Sequence, residues 1–128
     1  MTFDVVQHSR KLSKLIEFDT PFVTVTLLDI NGNGPRVDGV KALVTADGLE
    51  WGTVGGGKLE AIAIAYAREA LKTHRGTTCQ LVTWNLRTDI GMTCDGEAKL
   101  LFEIHNKGEW KEKPMYLKAV SAVRKAQA

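Results

Sequence analysis

Long apolar runs are missing from this chain of 128 residues. Nothing in it approaches the ~20 consecutive apolar residues that a bilayer crossing needs, so no membrane span is expected. The N-terminal stretch MTFDVVQHSRKLSK lacks the basic-then-apolar layout of a signal peptide, and the expected compartment is the cytoplasm. Charge of one sign is scarce as well. Lys and Arg number 17 against 15 Asp and Glu, a formal net charge of +2, too small and too evenly spread to imply a nucleic-acid partner. Cysteine is limited to Cys79 and Cys94. A cytosolic chain is expected to keep these as free thiols rather than as a disulfide, and with no histidine close by they do not make a metal site. There is no internal repeat and no low-complexity segment.

What remains is ordinary for a globular protein: 44% hydrophobic and 25% charged residues. A chain of this length buries roughly two-thirds of its unfolded surface, enough for one real core. One domain over residues 1–128 is therefore expected.

The pattern predicts a helix over 4–17, where Val5, Leu12, Leu15 and Ile16 form an apolar stripe. Thr20-Pro21 should end it. Residues 22–30 are β-branched and alternating, hence a strand. Asn31-Gly-Asn-Gly-Pro35 is a strong turn signal that opens a loop running to Gly39. Val40–Thr45 reads as a strand, Asp47-Gly48 as a hairpin turn, and Leu49–Val54 as the return strand. A helix is expected from Leu59 to about Thr73, capped by glycine near Arg75-Gly76. Cys79–Leu86 and Ala98–Ile104 read as strands around a loop over 87–96. Pro114 suits the first turn of a last helix, over 114–127. The order α-β-β-β-α-β-β-α predicts an α/β domain, or an α+β one, with a mixed β-sheet packed by helices.

The most informative local feature is Gly52-Thr-Val-Gly-Gly-Gly-Lys-Leu-Glu60. Glycines let a main chain adopt positive φ and approach a ligand closely. The first N–H groups of the following helix have no intrahelical partner, and its dipole adds partial positive charge there. A phosphate or carboxylate is the expected guest of such a junction; a tight strand-to-helix turn with no ligand is the plain alternative. Gly52, Gly57 and Lys58 match the spacing of a phosphate-binding P-loop, but Leu59 stands where a magnesium-binding hydroxyl is required. Glu60 lies in the first helical turn, where a carboxylate suits the dipole; it could also accept hydrogen bonds from a ligand. In the 31–39 loop, Arg36 could grip an oxyanion, or be a solvated arginine. Cys94 lies between glycines and could act as a nucleophile or sulfur carrier if Lys58 or Arg36 supplied positive charge. Cys79, at a strand start, reads as a partly buried, inert thiol. His8, His74 and His105 are scattered, and no catalytic residue is assigned among them. The many alanines of the 59–73 helix allow close packing on a sheet or a partner, though alanine is also the best helix former.

Three segments taken together resemble the N-terminal domain of the XdhC/CoxI family, the xanthine dehydrogenase accessory proteins. They are Gly34-Pro35-Arg36-Val-Asp-Gly39 with the following Val-Lys-Ala-Leu-Val, then Asp47-Gly48 through Glu60, then Gly91-Met-Thr-Cys94-Asp-Gly96 leading to Glu103. The resemblance covers about residues 20–104, flanked by the helices over 4–17 and 114–127. It implies a maturation factor that binds the molybdenum cofactor (molybdopterin) as cargo, helps to exchange its oxo ligand for sulfur, and passes it to a molybdenum hydroxylase apo-enzyme, rather than a turnover enzyme. The positions so implied are Pro35, Arg36, Gly39, Gly55, Gly56, Gly57, Lys58, Glu60 and Cys94. The family often has cysteine after the three glycines, where this chain has Lys58, and Cys-Gly-Gly where this chain has Cys94-Asp95-Gly96. The serine of the family's Gly-Ser-x-Pro-Arg is replaced, since Asn33-Gly34 precede Pro35. Larger members add a Rossmann-like domain, which a separate partner would have to supply here. Two rival functions stay open on the residues alone: a phosphate- or nucleotide-binding enzyme using the Gly52–Lys58 loop, and a ligand-free interaction domain docking by a helix. A homodimer formed through an exposed sheet edge is a further expectation.

Overall fold

The computed structural model describes residues 4–31, 40–106 and 125–126. Its elements are α1 (Val5–Glu17), β1 (Phe22–Ile30), β2 (Val40–Thr45), β3 (Gly48–Gly52), α2 (Gly57–Thr73), β4 (Thr78–Asn85) and β5 (Glu97–His105). The mixture of helix and strand agrees with the pattern. The expected helix over 114–127 lies, apart from residues 125 and 126, outside the described residues.

The strands form one sheet in the order β3-β2-β1-β5-β4. Every pairing in it is antiparallel, which corrects the expectation of a mixed sheet. The reason is topological. Parallel neighbours need a crossover connection, and the crossover that α2 makes joins β3 to β4, which lie at opposite edges of the sheet and do not pair. β1 lies at the centre and pairs with β2 on one side and β5 on the other. Two bulges interrupt the register. Leu28 is the extra residue between Leu27↔Leu100 and Asp29↔Lys99, and Glu50 is the extra residue between Val44↔Leu49 and Leu43↔Trp51.

Among the described residues, α1 and α2 lie on opposite faces of the sheet. α2 presents Leu59, Ala63, Ala67 and Ala70 to a core that includes Val25, Leu100 and Phe102. The alanines bring the helix axis close, and Tyr66 fills the wider gap, its ring 4.6 Å from Phe102 and 5.7 Å from Trp84. Burying a side chain the size of Phe102 contributes about 1.5–3 kcal/mol. On the other face, Leu15 and Ile16 of α1 pack on Phe22 and Leu43. Val5, expected on that stripe, is 62% exposed; it lies a full two turns before Leu12, beyond the part of the helix that meets the sheet.

The helix ends differ from expectation for identifiable reasons. Asp4 caps α1, accepting from the N–H groups of Val6 and Gln7. α1 then closes before Thr20-Pro21. The N–H groups of Asp19 and Thr20 donate to the carbonyls of Ile16 and Leu15, and Asp19 takes the left-handed conformation at φ 53°. This is the Schellman arrangement, with aspartate where glycine is usual. α2 ends at His74, in extended conformation, rather than at a glycine cap. The His74 backbone N–H donates to the Ala70 carbonyl. Its ring joins a chain of side chains: Tyr66 Oη donates to Gln80 Oε1, and the Gln80 amide meets His74 Nε2 at 2.7 Å.

Candidate functional site

The register collects three separated segments at one end of the sheet. Leu27 faces Val40, Ile30 faces Ala98, Ala42 faces Gly52 and Asn85 faces Glu97. The chain therefore leaves β1, enters β2, leaves β3, leaves β4 and enters β5 at the same end. The glycine-rich segment between β3 and α2 and the 86–96 segment that carries Cys94 both lie there. The segment holding Pro35, Arg36 and Gly39 starts and finishes there, although those three residues lie outside the described ones.

The glycine-rich segment is built from within. Glu60 Oε1 accepts from the Thr53 hydroxyl at 2.5 Å and from the Val54 N–H at 2.9 Å, while Thr53 Oγ1 accepts from the Gly55 N–H. Glu60 thus braces the turn from behind through one carboxylate oxygen. Gly55, Gly56 and Gly57 follow with φ of 109°, 77° and 62°. Among the described residues, a Cβ placed on any of the three would meet nothing within 4 Å. These glycines serve conformation and leave open space above the backbone, which is what a close-lying ligand requires. Gly52 is different: its Cβ would lie 2.1 Å from the Lys41 carbonyl oxygen, so it is a packing glycine. No side chain caps α2, so its first N–H groups and the positive end of its dipole face the open space. Leu59 is buried in the core, and the position that would bind magnesium in a P-loop is filled by an inward-facing apolar side chain.

The Cys94 segment is held at both ends. Asn85 Oδ1 accepts from the N–H groups of Arg87 and Thr88, and Asp89 caps the Asn85 N–H. Leu86 and Ile90 anchor the segment in the core. Gly96 lies against Asn31, where a Cβ would overlap the Asn31 side chain, and the Asn31 N–H donates to Glu97. Arg87 pairs with Asp95 at 3.1 Å across the exposed turn. Cys94 and Cys79 are exposed free thiols. For Cys79 this corrects the expectation of partial burial: it faces away from α2, on the open side of β4.

One contact joins the two segments. Lys58 Nζ donates to the Gly91 carbonyl at 2.8 Å, fastening the start of α2 to the loop that carries Cys94. At the same end of the sheet, Asp29, Asp95, Glu97 and Lys99 are among the described residues that line a shallow cleft. Among the described residues that line it, three carboxylates stand against one lysine, a balance that disfavours an anionic group there. Among the described residues no group of His, Cys, Asp and Glu is placed to hold a metal ion, and no helix is long and apolar enough to cross a membrane.

Sequence patterns missed Thr53 and Asn31. The known capping box pairs a hydroxyl with a glutamate three residues on, whereas Thr53 and Glu60 are seven apart. Asn31 meets Gly96 only through the β1–β5 pairing, which no local pattern reports.

Residues 15–84, more than half of the chain, match the XdhC and CoxI family. The chain belongs to that family. Among curated proteins it is 30% identical over 94 residues to the uncharacterized protein YqeB of Escherichia coli (strain K12), an alignment covering 73% of this chain and 17% of that protein. The chain therefore spans about a sixth of the length of that relative. The XdhC and CoxI family is tied to the maturation of xanthine dehydrogenase-type molybdenum hydroxylases. Its match spans the glycine-rich segment and ends just before the Cys94 segment.

Proposed function

We propose that this chain is an accessory factor that binds the molybdenum cofactor as cargo for a xanthine dehydrogenase-type apo-enzyme and works in the cytoplasm without a turnover reaction of its own. The observation that carries this reading is the convergence of the family's motif segments at one end of the sheet, with Lys58 fastening two of them together. In this reading Gly55, Gly56, Gly57 and Lys58 take the phosphate of the pterin. The open space over the glycines and the uncapped start of α2 fit an anion of that size. Pro35, Arg36 and Gly39 are assigned to the same site from the family's motif, with Arg36 supplying charge, and Cys94 faces the reactive end of the cargo. Glu60 belongs to the site as a brace, since its Oε1 is committed to Thr53 and Val54.

The test is retention of released molybdopterin through gel filtration, read by pterin fluorescence. The wild-type protein retains it, and Gly56→Asp weakens retention by about tenfold or more, because it puts negative charge and bulk where the anion sits. Gly56 has φ 77° and ψ −173°, a region that glycine alone enters readily. Lys58→Glu, at an exposed position, is therefore the companion variant that keeps the fold. Retention by Lys58→Glu equal to that of the wild type overturns the anion site, and no retention by the wild type overturns the cargo.

A further inference from the structure

We infer that the outer edge of β4 pairs antiparallel with β4 of a second copy of this chain, about a two-fold axis at Leu81. This goes beyond cofactor binding and rests on none of it. Among the described residues β4 ends the sheet and no strand pairs with its outer side. An unpaired edge exposes a row of N–H and C=O groups, and proteins that stay monomeric guard such edges with charge, proline, bulges or shortness. The opposite edge is guarded in this way. β3 has five residues, glycine at both ends and the exposed Glu50 at its bulge. β4 has none of these devices. Its eight residues, Thr-Cys-Gln-Leu-Val-Thr-Trp-Asn, include no Asp, Glu, Lys, Arg or Pro.

The hydrogen-bond phase shows which groups face outward. Leu86 N–H donates to the Gly96 carbonyl, and these two residues continue the register in which Asn85 faces Glu97. Leu86 is thus in a hydrogen-bonded pair, and so, alternating back along the strand, are Trp84, Val82 and Gln80. By the same alternation Asn85 turns outward too, but its N–H and C=O are taken up by Asp89 and Ile90, which leaves Cys79, Leu81 and Thr83 to turn their backbone groups to the open edge. The same three residues carry the exposed side chains of β4, and Leu81 is 65% exposed, next to Leu101 across the β4–β5 pair.

This set is symmetric about Leu81, and that decides for a second copy. In a two-fold pairing Leu81 faces Leu81 and Cys79 faces Thr83, each pair exchanging two N–H···O bonds. An uncharged strand opposes no like charges to itself, whereas recognition of a charged partner strand would leave the partner's charges unanswered. The apolar row from Leu101 through Leu81 continues into the second copy. The antiparallel seam sets the two glycine-rich junctions at opposite ends of the joined sheet, clear of each other.

The test uses the full chain. Light scattering and sedimentation equilibrium should give the mass of two chains at micromolar concentration. Leu81→Lys should weaken the dimer by about tenfold or more, because it sets two ammonium groups face to face, while its circular dichroism stays that of the wild type. A second variant, Thr83→Cys in a Cys94→Ser background, should form disulfide-linked dimers under mild oxidation. Residues 79 and 83 of one strand lie about 13 Å apart and cannot bridge within a chain. A monomeric wild type, or a Leu81→Lys protein that dimerises as strongly, overturns the inference. If Leu81→Lys does not fold, the cross-link decides: its absence overturns the seam and its formation supports it.

Discussion

At the residue scale the glycines divide by what a methyl group would meet. Gly52 and Gly96 are pressed against the Lys41 carbonyl and the Asn31 side chain, whereas Gly55, Gly56 and Gly57 face open space. All five have positive φ, so alanine is strained at each of them. Only the first two add a collision. Gly52→Ala should therefore cost about 3 kcal/mol, the left-handed penalty plus overpacking against backbone that cannot swing aside. Gly55→Ala should cost about 1 kcal/mol, the conformational part alone. Urea unfolding midpoints compare the two directly, and equal losses would mean that the close approach at Gly52 relaxes without cost. Sequence alone cannot separate these glycines. Gly52 and Gly55 look alike in the string, and the atom that distinguishes them belongs to β2.

At the element scale, α1 is the less committed of the two helices. It reaches the sheet through Leu15 and Ile16, and nearer its N-terminus through polar and aromatic contacts. Trp51 Nε1 donates to Gln7 Oε1 at 3.4 Å, the His8 ring lies 5.3 Å from Trp51, and the Lys11–Glu50 pair is half-exposed at 3.8 Å and adds little. Burial, and then the positive charge of Lys41, hold the His8 pKa below the usual 6.5. A histidine depressed in the folded state is neutral in both states above pH 6.5, so its contribution is fully present there. As pH falls below 6.5 the unfolded chain takes up the proton first, and stability declines until the folded-state pKa is passed. Wild-type protein should thus lose stability between pH 7 and pH 5 more steeply than His8→Gln, as read by urea midpoints at each pH. Parallel pH profiles would remove His8 from that loss. The elements themselves are largely legible: β1 and β2 fall where alternation places them, and α2 begins two residues before Leu59, with Gly57 and Lys58, neither of which adds an apolar side chain for the periodicity to register. Their arrangement was not. The central β1–β5 pair joins residues such as Val25 and Phe102, and a contact so distant in sequence leaves no local signature. The three candidate segments could each be picked out, but their meeting at one end follows from strand order.

At the scale of the whole molecule, the sheet is a frame that brings the loops to one end, and Lys58 fastens two of them together by a hydrogen bond. Its ammonium spans from the first turn of α2 to the Gly91 carbonyl, so it links a helix packed on the centre of the sheet to a segment between two strands at its edge. The 86–96 segment has a frame of its own in the Asn85 turn and the Leu86–Gly96 and Leu86–Met92 backbone bonds. Residues 92–95, around Cys94, lie between these fixed points, tied back by Arg87 through Asp95 and the Thr93 carbonyl and joined to α2 through the clasp at Gly91. Lys58→Met keeps the length of the side chain and removes the donor. An exposed hydrogen bond from a charged group is worth about 1 kcal/mol or less after solvent competition, so global stability should hardly change. Local order should change more. Amide hydrogen exchange over residues 92–95 should rise severalfold, while exchange in β4 and β5 stays as in the wild type, because local opening can be far cheaper than global unfolding. Cys94 should also react faster with a thiol reagent in the variant as its segment samples more conformations. Unchanged exchange and unchanged thiol reactivity would show that the Asn85 turn and Arg87 order the segment without Lys58, and that the glycine-rich junction and Cys94 are neighbours without being coupled.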